Sequence, residues 1–321
     1  MQEVSPAYTR ISVETAERVG HQLHQGLTAA GYSVDFRLQG SVPLNTHIRG
    51  VSDVDLLNLD TEFLTYYVAG RRSRAGLYTN PSGRTSLAVL SSLRRESEKI
   101  LVNAYPAATV DTAGNKSIHL SGGSLARPVD VVPAHWVDAI EYQASSLEHD
   151  RGVTILDKSV PEALENLPFL HIKRISERDE LALKSLKKAI RLCKNVKGDA
   201  EEDGTAIELG SYDIAAILYY ADLTSLQSGA VYELRILAEA QRLLDWLYRN
   251  KAEAEKLMVP DGSRRIFSSA GKYTGLLHLS VEMDDLMKEV AKEQNVLLRF
   301  GQGPSLEQSR DAVSSLYIPA A

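Results

Sequence analysis

Several things are scarce in this chain, and each scarcity excludes something. There is one cysteine, Cys193, in 321 residues. No internal disulfide can form, and a cysteine-built zinc module is excluded. Cys193 falls in a strongly helical segment and reads as a small helix residue. No apolar run reaches the roughly 20 residues that a bilayer-spanning helix needs. The first ten residues, Met1 to Arg10, lack the basic-then-apolar pattern of a signal peptide. The expectation is a cytoplasmic protein with no membrane partner. Positive charge is not in excess either: 36 Lys and Arg against 42 Asp and Glu leave a net charge of −6 and a pI near 5.8. A protein that grips long nucleic acid shows a broad basic field, so small nucleotides are favoured over long DNA or RNA. Also missing are a Gly-rich Walker loop, a Rossmann fingerprint and a Gly-x-Ser-x-Gly elbow. The histidines, His47, His119, His135 and His171 among them, form no metal-ligand spacing.

What is present suits a soluble protein of two lobes. The length exceeds one small core, and 44% hydrophobic with 24% charged residues is ordinary for a globular chain. In the first part, helices are predicted over 12–30 and 86–104. Strands are predicted over 32–38, 54–59, 108–112, 116–120, 128–132 and 152–156. Ala113-Gly114-Asn115 forms a hairpin turn, and 70–85 reads as a surface loop. Near Pro161 to Pro168 the strand signals stop. Helices are predicted over 179–196, 211–221, 229–249 and 281–298. The expected division is therefore 1–165, 166–300 and a flexible polar tail over 301–321.

The chemistry concentrates at the ends of the predicted strands. Gln39-Gly40-Ser41 closes one strand, and after an interval of eleven residues Asp53-Val54-Asp55 opens the next. Residues two apart on a strand share a face. Both carboxylates then point to one place, which is costly unless protons or a cation neutralise them. Asp130, among Val129, Val131 and Val132, supplies a third acid if its strand lies alongside. A lone Asp-x-Asp is usually a solvated pair; here the apolar flanks argue for a buried strand with its acids at one end. Small residues at Gly40-Ser41 let the backbone approach a phosphate, and Ser41 adds a hydroxyl. Further along, Lys184, Lys187, Lys188, Arg191 and Lys194 crowd one helix. A solvated face is the usual meaning of such a run, while an anion such as a triphosphate would relieve the repulsion. Ser211-Tyr212, after Gly210, offers a hydroxyl and a ring; the ordinary reading is a helix N-cap and a core tyrosine.

These residues resemble the polymerase-β-like nucleotidyltransferases, and within them the bacterial CD-NTases, relatives of cyclic GMP-AMP synthase. The resemblance is carried by Gly40-Ser41 through Asp53-Val54-Asp55, by Arg127 to Pro133 around Asp130, and by Lys187 to Lys194 with Gly210-Ser211-Tyr212. It implies an α+β fold with a nucleotidyltransferase core, a mixed sheet flanked by helices, and a C-terminal helical lobe. It further implies that Asp53, Asp55 and Asp130 hold two Mg²⁺, with Mn²⁺ as the alternative. Gly40, Ser41, Lys187, Lys194 and Ser211 would hold the triphosphate, with Tyr212 stacked on the donor base. His171-Ile172-Lys173 would fall where the acceptor base is read. The implied reaction joins NTPs, ATP among them, into a cyclic di- or trinucleotide for anti-phage signalling. The implied partners are a downstream effector and a conjugating or regulatory protein at the C-terminus. Two readings stand beside it. One is another nucleotidyltransferase with a linear-oligonucleotide, tRNA or small-molecule acceptor; the acidic pI opposes the tRNA version. The other is an inactive nucleotide-sensing scaffold, whose mark would be a lost acid, whereas all three acids stand.

Overall fold

The computed structural model describes residues 1–50, 52–79, 81–227, 229–294, 298 and 303–318. The chain forms two compact units. A sheet unit comprises Val4–Leu44 and Ser52–Lys173; a helical unit comprises Met1–Glu3, Asn45–Val51 and Arg174–Ala321. The expected division near 165 thus lies a few residues early, and two short N-terminal segments belong with the helices.

In the sheet unit the elements run α1 (Pro6–Ala29), β1 (Val34–Gln39), α2 (Ser41–Leu44), β2 (Val54–Tyr66), α3 (Arg71–Arg74), α4 (Ser86–Ala104), β3 (Thr109–Asp111), β4 (Ile118–Ser121), β5 (Val129–Asp138), α5 (Ile140–Ser145), β6 (Gly152–Asp157) and β7 (Glu162–Asn166). The helix expected from Ser12 begins at Pro6, because Ser5 accepts a hydrogen bond from the Tyr8 amide and Pro6 sits in the first turn. The stretch around 161–168, where strand signals were expected to cease, contains β7. This strand is mostly exposed and pairs antiparallel with β6, so it lacks the apolar alternation that marks a half-buried strand. The loop expected over 70–85 is interrupted by α3; Asn80 lies outside the described residues.

The sheet is mixed, in the order β1-β2-β5-β4-β3, with β6 paired along the second half of β5 and β7 paired to β6. Of these pairings β2 with β5 is parallel and the others are antiparallel. A parallel pair needs a long crossover, which α4 and the β3–β4 hairpin provide. Because successive side chains alternate in direction, β2 and β5 feed two cores. Leu56 and Val131 join Val19, Leu23 and Leu27 of α1 and Leu93 of α4 on one face; Leu57, Leu59, Val132 and Ala134 join Trp136 and Ile155 on the other. Burial on both faces explains the nearly continuous apolar runs of these strands.

The hairpin is anchored from inside. Arg94 of α4 is 2% exposed and donates to the carbonyls of Thr112 (3.3 Å), Gly114 (2.5 Å), Asn115 (3.1 Å) and Ser117 (3.0 Å). Glu98 supplies its counter-charge at 2.8 Å.

The helical unit holds the end of α6 (Pro168–Leu181), then α7 (Ser185–Glu202), α8 (Ser211–Leu218), α9 (Leu223–Leu226), α10 (Arg235–Arg249), α11 (Lys251–Ala254), α12 (Ala270–Gln294) and α13 (Leu306–Ser314). One helix was expected over 179–196, but the chain breaks at Leu183 and Lys184, both in the left-handed region with φ of 52° and 67°. Buried Asp179 accepts the Lys187 amide at 2.9 Å and so caps the restarted helix. The helix expected over 281–298 begins at Ala270 and runs to Gln294; residues 295–297 lie outside the described residues. The tail expected to be flexible contains α13. Ser305 and Gln308 form a reciprocal capping box, Val313 is fully buried, and Arg310 binds Gln241 and Asp245 of α10. Gly301, Ala320 and Ala321 lie outside the described residues. Cys193 is buried and its thiol is pushed up to about 12 by burial, so it is a packing residue.

Arg94→Met should cost about 2–4 kcal/mol, since four turn carbonyls, some of them half-buried, lose a charged donor at once. Chemical denaturation measures this, and hydrogen exchange should rise first across 112–121. A loss below about 1 kcal/mol would mean that water replaces the guanidinium without penalty.

Candidate active site

A single rung of the sheet carries the polar residues. Asp55 of β2 lies opposite Gln39 of β1 on one side and Asp130 of β5 on the other; Asp130 lies opposite His119 of β4, and His119 opposite Asp111 of β3. Partners on a rung point to the same face. That face is the one on which Leu57, Leu59, Val132 and Ala134 form the second core, so the rung sits where that core ends. Asp53 precedes β2 by one residue and has the same parity as Asp55. The strand of Asp130 therefore does lie beside that of Asp53 and Asp55, as the sequence suggested.

Three of these side chains converge closely. His119 Nδ1 is 3.0 Å from Asp130 Oδ1 and 3.8 Å from Asp53 Oδ2. One ligand atom from each of Asp53, His119 and Asp130 lies within 4.8 Å of the other two. Asp55 is adjacent through its register with Asp130 but is not a member of this tightest group. Spacing along the chain gives His119 no metal-ligand pattern and so does not mark it as part of the site. The available signal was the hairpin-like separation of 118–121 and 129–131, which pairs position 119 with 130 once those strands are taken as antiparallel neighbours.

The electrostatics show uncompensated negative charge. Burial raises the Asp53 carboxyl above its ordinary value, the Asp130 charge raises it further, and His119 pulls it back. Such a site holds a proton more tightly than a solvated carboxylate does, or accepts a cation. The donor chemistry fits a hard divalent ion: carboxylate oxygens from Asp53, Asp55 and Asp130, partly open to solvent and phosphate oxygens.

Gly40 has a specific steric reason. Its φ is +71°, a region that side-chain-bearing residues avoid, and a Cβ there would overlap Oδ2 of Asp55. The turn can thus approach the acid only as glycine. Ser41, half-buried, opens the short helix α2, with Pro43 placed in the first turn, where a missing N–H does no harm.

The residues expected on the helical unit are sorted by their partners. Lys184 pairs with Glu180 and Lys188 with Glu233. Arg191, 1% exposed, donates to the carbonyls of Asn45 (2.6 Å) and Met1 (3.0 Å); Lys194, 4% exposed, donates to Thr46 O at 3.0 Å. The repulsion along α7 is thus relieved largely by carboxylates and carbonyls. The Lys187 ammonium has no hydrogen-bonded partner among the described residues, and burial pulls its pKa down. Ser211 is the exposed first residue of α8, with Gly210 as the N-cap. The Tyr212 hydroxyl donates to Asp261, and the Arg264 guanidinium lies 5.4 Å from the ring centroid. Lys173 is hydrogen-bonded to His149 Nε2 at 2.8 Å, and His171 is buried.

Gly40→Ala should leave the fold standing, with about 1–2 kcal/mol of left-handed backbone strain, yet displace Asp55. Thermal melting and a crystal structure of the variant check both halves. Asp53→Asn should slightly raise the melting temperature of the metal-free protein, by the equivalent of under about 1 kcal/mol given the screening at a half-exposed group. A fall instead would mean that Asp53 is held by favourable contacts.

No model of a known protein family matches the sequence. Individual proteins do. The chain is 44% identical over 293 residues to the cyclic dinucleotide synthase CdnE of Yersinia aleksiciae, covering 91% of this chain and 75% of that one. It is 30% identical over 310 residues to a c-di-GMP synthase of a Lachnospiraceae bacterium, covering 90% and 85%. Its fold matches the solved structure of a STING-associated CdnE c-di-GMP synthase from Flavobacteriaceae sp., with a TM-score of 0.73 and 26% identity over 91% of this chain and 85% of that one. Taken with the Gly-Ser turn and the acids on one rung, these likenesses establish that the chain belongs to the CD-NTase family of cyclic-oligonucleotide-forming nucleotidyltransferases.

Proposed function

We propose that this enzyme makes a cyclic dinucleotide from two nucleoside triphosphates, with Asp53, Asp55 and Asp130 as the catalytic carboxylates. The observation that carries the reading is the rung on which Asp55 and Asp130 stand side by side, with Asp53 next to them and Gly40 fitted against Asp55. Two divalent ions held by these carboxylates would neutralise the phosphates and favour ionisation of the attacking hydroxyl.

The chain's own residues then have separable tasks. Gly40 and Ser41 bring backbone and hydroxyl to the donor triphosphate. Lys187 is the cation best suited to a phosphate, being partly desolvated and without a hydrogen-bonded partner among the described residues. Lys194 and Ser211 complete the assignment of phosphate-binding residues. For Lys194, the bond to Thr46 O points to a role in holding the segment after the Gly-Ser turn. Tyr212, held by Asp261, presents a fixed ring for the donor base. The acceptor hydroxyl oxygen attacks the α-phosphorus, the bond to pyrophosphate breaks, and Asp130 receives the hydroxyl proton. A second round on the linear intermediate closes the ring. Positioning and charge neutralisation do most of this work.

Two of the similar proteins are c-di-GMP synthases, so GTP is the first substrate to test, with ATP next. A cyclic product implies an effector that reads it, and anti-phage signalling is the setting we propose. Incubation with labelled NTPs and Mg²⁺ or Mn²⁺, phosphatase treatment and mass spectrometry should reveal a phosphatase-resistant cyclic dinucleotide. Asp53→Asn should reduce its formation by at least about a thousandfold. A linear or small-molecule adduct would replace this reading with another nucleotidyl transfer; undiminished synthesis by Asp53→Asn would remove the carboxylate assignment.

A further inference from the structure

We propose that His119 Nδ1 is a direct nitrogen ligand of the divalent-ion site and biases that site toward Mn²⁺ over Mg²⁺. The inference rests on the reading above, in which the three acids hold divalent ions, and adds a donor of a different kind.

The geometry supplies the first reason. Around an octahedral ion with ligands at about 2.1 Å, neighbouring ligand atoms lie about 3.0 Å apart and opposite ones about 4.2 Å. His119 Nδ1 stands 3.0 Å from Asp130 Oδ1, a hydrogen bond that already has the spacing of neighbouring ligands, and 3.8 Å from Asp53 Oδ2, between the neighbouring and opposite separations. Nδ1, not the backbone or the ring edge, is the atom turned toward both carboxylates. The second reason is rigidity. His119 lies on the rung opposite Asp130, and Arg94 ties down the carbonyl of Ser117 two residues earlier. An imidazole on a free loop could swing away when an ion arrives; this one is fixed in the sheet. The third reason is ligand chemistry. Mg²⁺ favours an all-oxygen shell. Later first-row ions accept imidazole more readily, and affinity at a mixed nitrogen-oxygen site rises along that series. Mn²⁺ tolerates both donor types. Replacing one oxygen position by imidazole therefore costs Mg²⁺ more than Mn²⁺.

The test reads the ion itself. Mn²⁺ is bound to the protein with a non-hydrolysable NTP analogue and studied by pulsed electron paramagnetic resonance. Protein carrying ¹⁵N-imidazole histidine should change the nitrogen modulation from that of ¹⁴N to that of ¹⁵N. The variant His119→Asn, which keeps a polar atom near Nδ1, should abolish the histidine signal, as should His119→Ala. Competition by Mg²⁺ should become about tenfold more effective in either variant, with melting temperatures showing that both remain folded. Bound Mn²⁺ with no histidine nitrogen coupling would overturn this inference and leave the three-acid reading intact. A Mg²⁺/Mn²⁺ ratio unchanged in both folded variants would also overturn it. Failure of the wild-type protein to bind Mn²⁺ at all would overturn both readings.

Discussion

The parallel pairing of β2 with β5, in the register that sets Asp55 against Asp130, is the constraint on which everything else in this molecule depends. A slip of β5 by one residue against β2 would turn Asp130 to the opposite face, away from Asp55 and toward the first core. The register is enforced from both sides, since Leu56 and Val131 must enter one core while Leu57 and Val132 enter the second. Two like charges are thus held together by hydrophobic packing that is indifferent to them. Neither acid chooses its neighbour, and the repulsion between them remains available to whatever cation binds.

The same logic explains the neighbours of the acids. Gly40 has no side chain because Asp55 fills the space one would take. His119 is presented by a hairpin whose turn carbonyls converge on one buried guanidinium. A short two-stranded ribbon is weakly stable alone, and Arg94 gives it an internal fixed point. Asp55, Asp130 and His119 are therefore held on strands, with Asp53 one residue before β2, which suits chemistry that relies on positioning.

Much of this was legible in the sequence. Apolar alternation located the strands that carry the acids, and Gly-Ser at a fixed distance from Asp-x-Asp located their turn. The unread parts share a physical cause: they depend on pairing across the chain. His119 acquires meaning only from its antiparallel register with Asp130. Strand β7 is mostly exposed, with Leu164 packed against the second core, and is defined by its hydrogen bonds to β6. The break at Leu183 and Lys184 uses left-handed backbone without glycine or proline to announce it. The final helix was marked by Ser305 and Gln308, a local signal outweighed by the polar composition around it. Among the cations of α7, composition could count charges but could not tell Arg191 and Lys194, committed to backbone carbonyls, from Lys187.

Those carbonyls belong to Asn45 and Thr46, which lie between the Gly-Ser turn and the acidic strand and yet form part of the helical unit. The chain leaves the sheet unit after Leu44 and re-enters it at Ser52. Neither unit is therefore a contiguous stretch that could be cut out as a gene fragment. A piece starting at Arg174 would carry two buried cations without the Asn45 and Thr46 carbonyls, and a piece ending at Lys173 would carry a segment parted from its unit just after its own Gly-Ser turn. Because the acceptors are backbone carbonyls, what α7 requires of the 45–51 segment is its path and not its side chains, although more than a hundred residues separate the two in the chain.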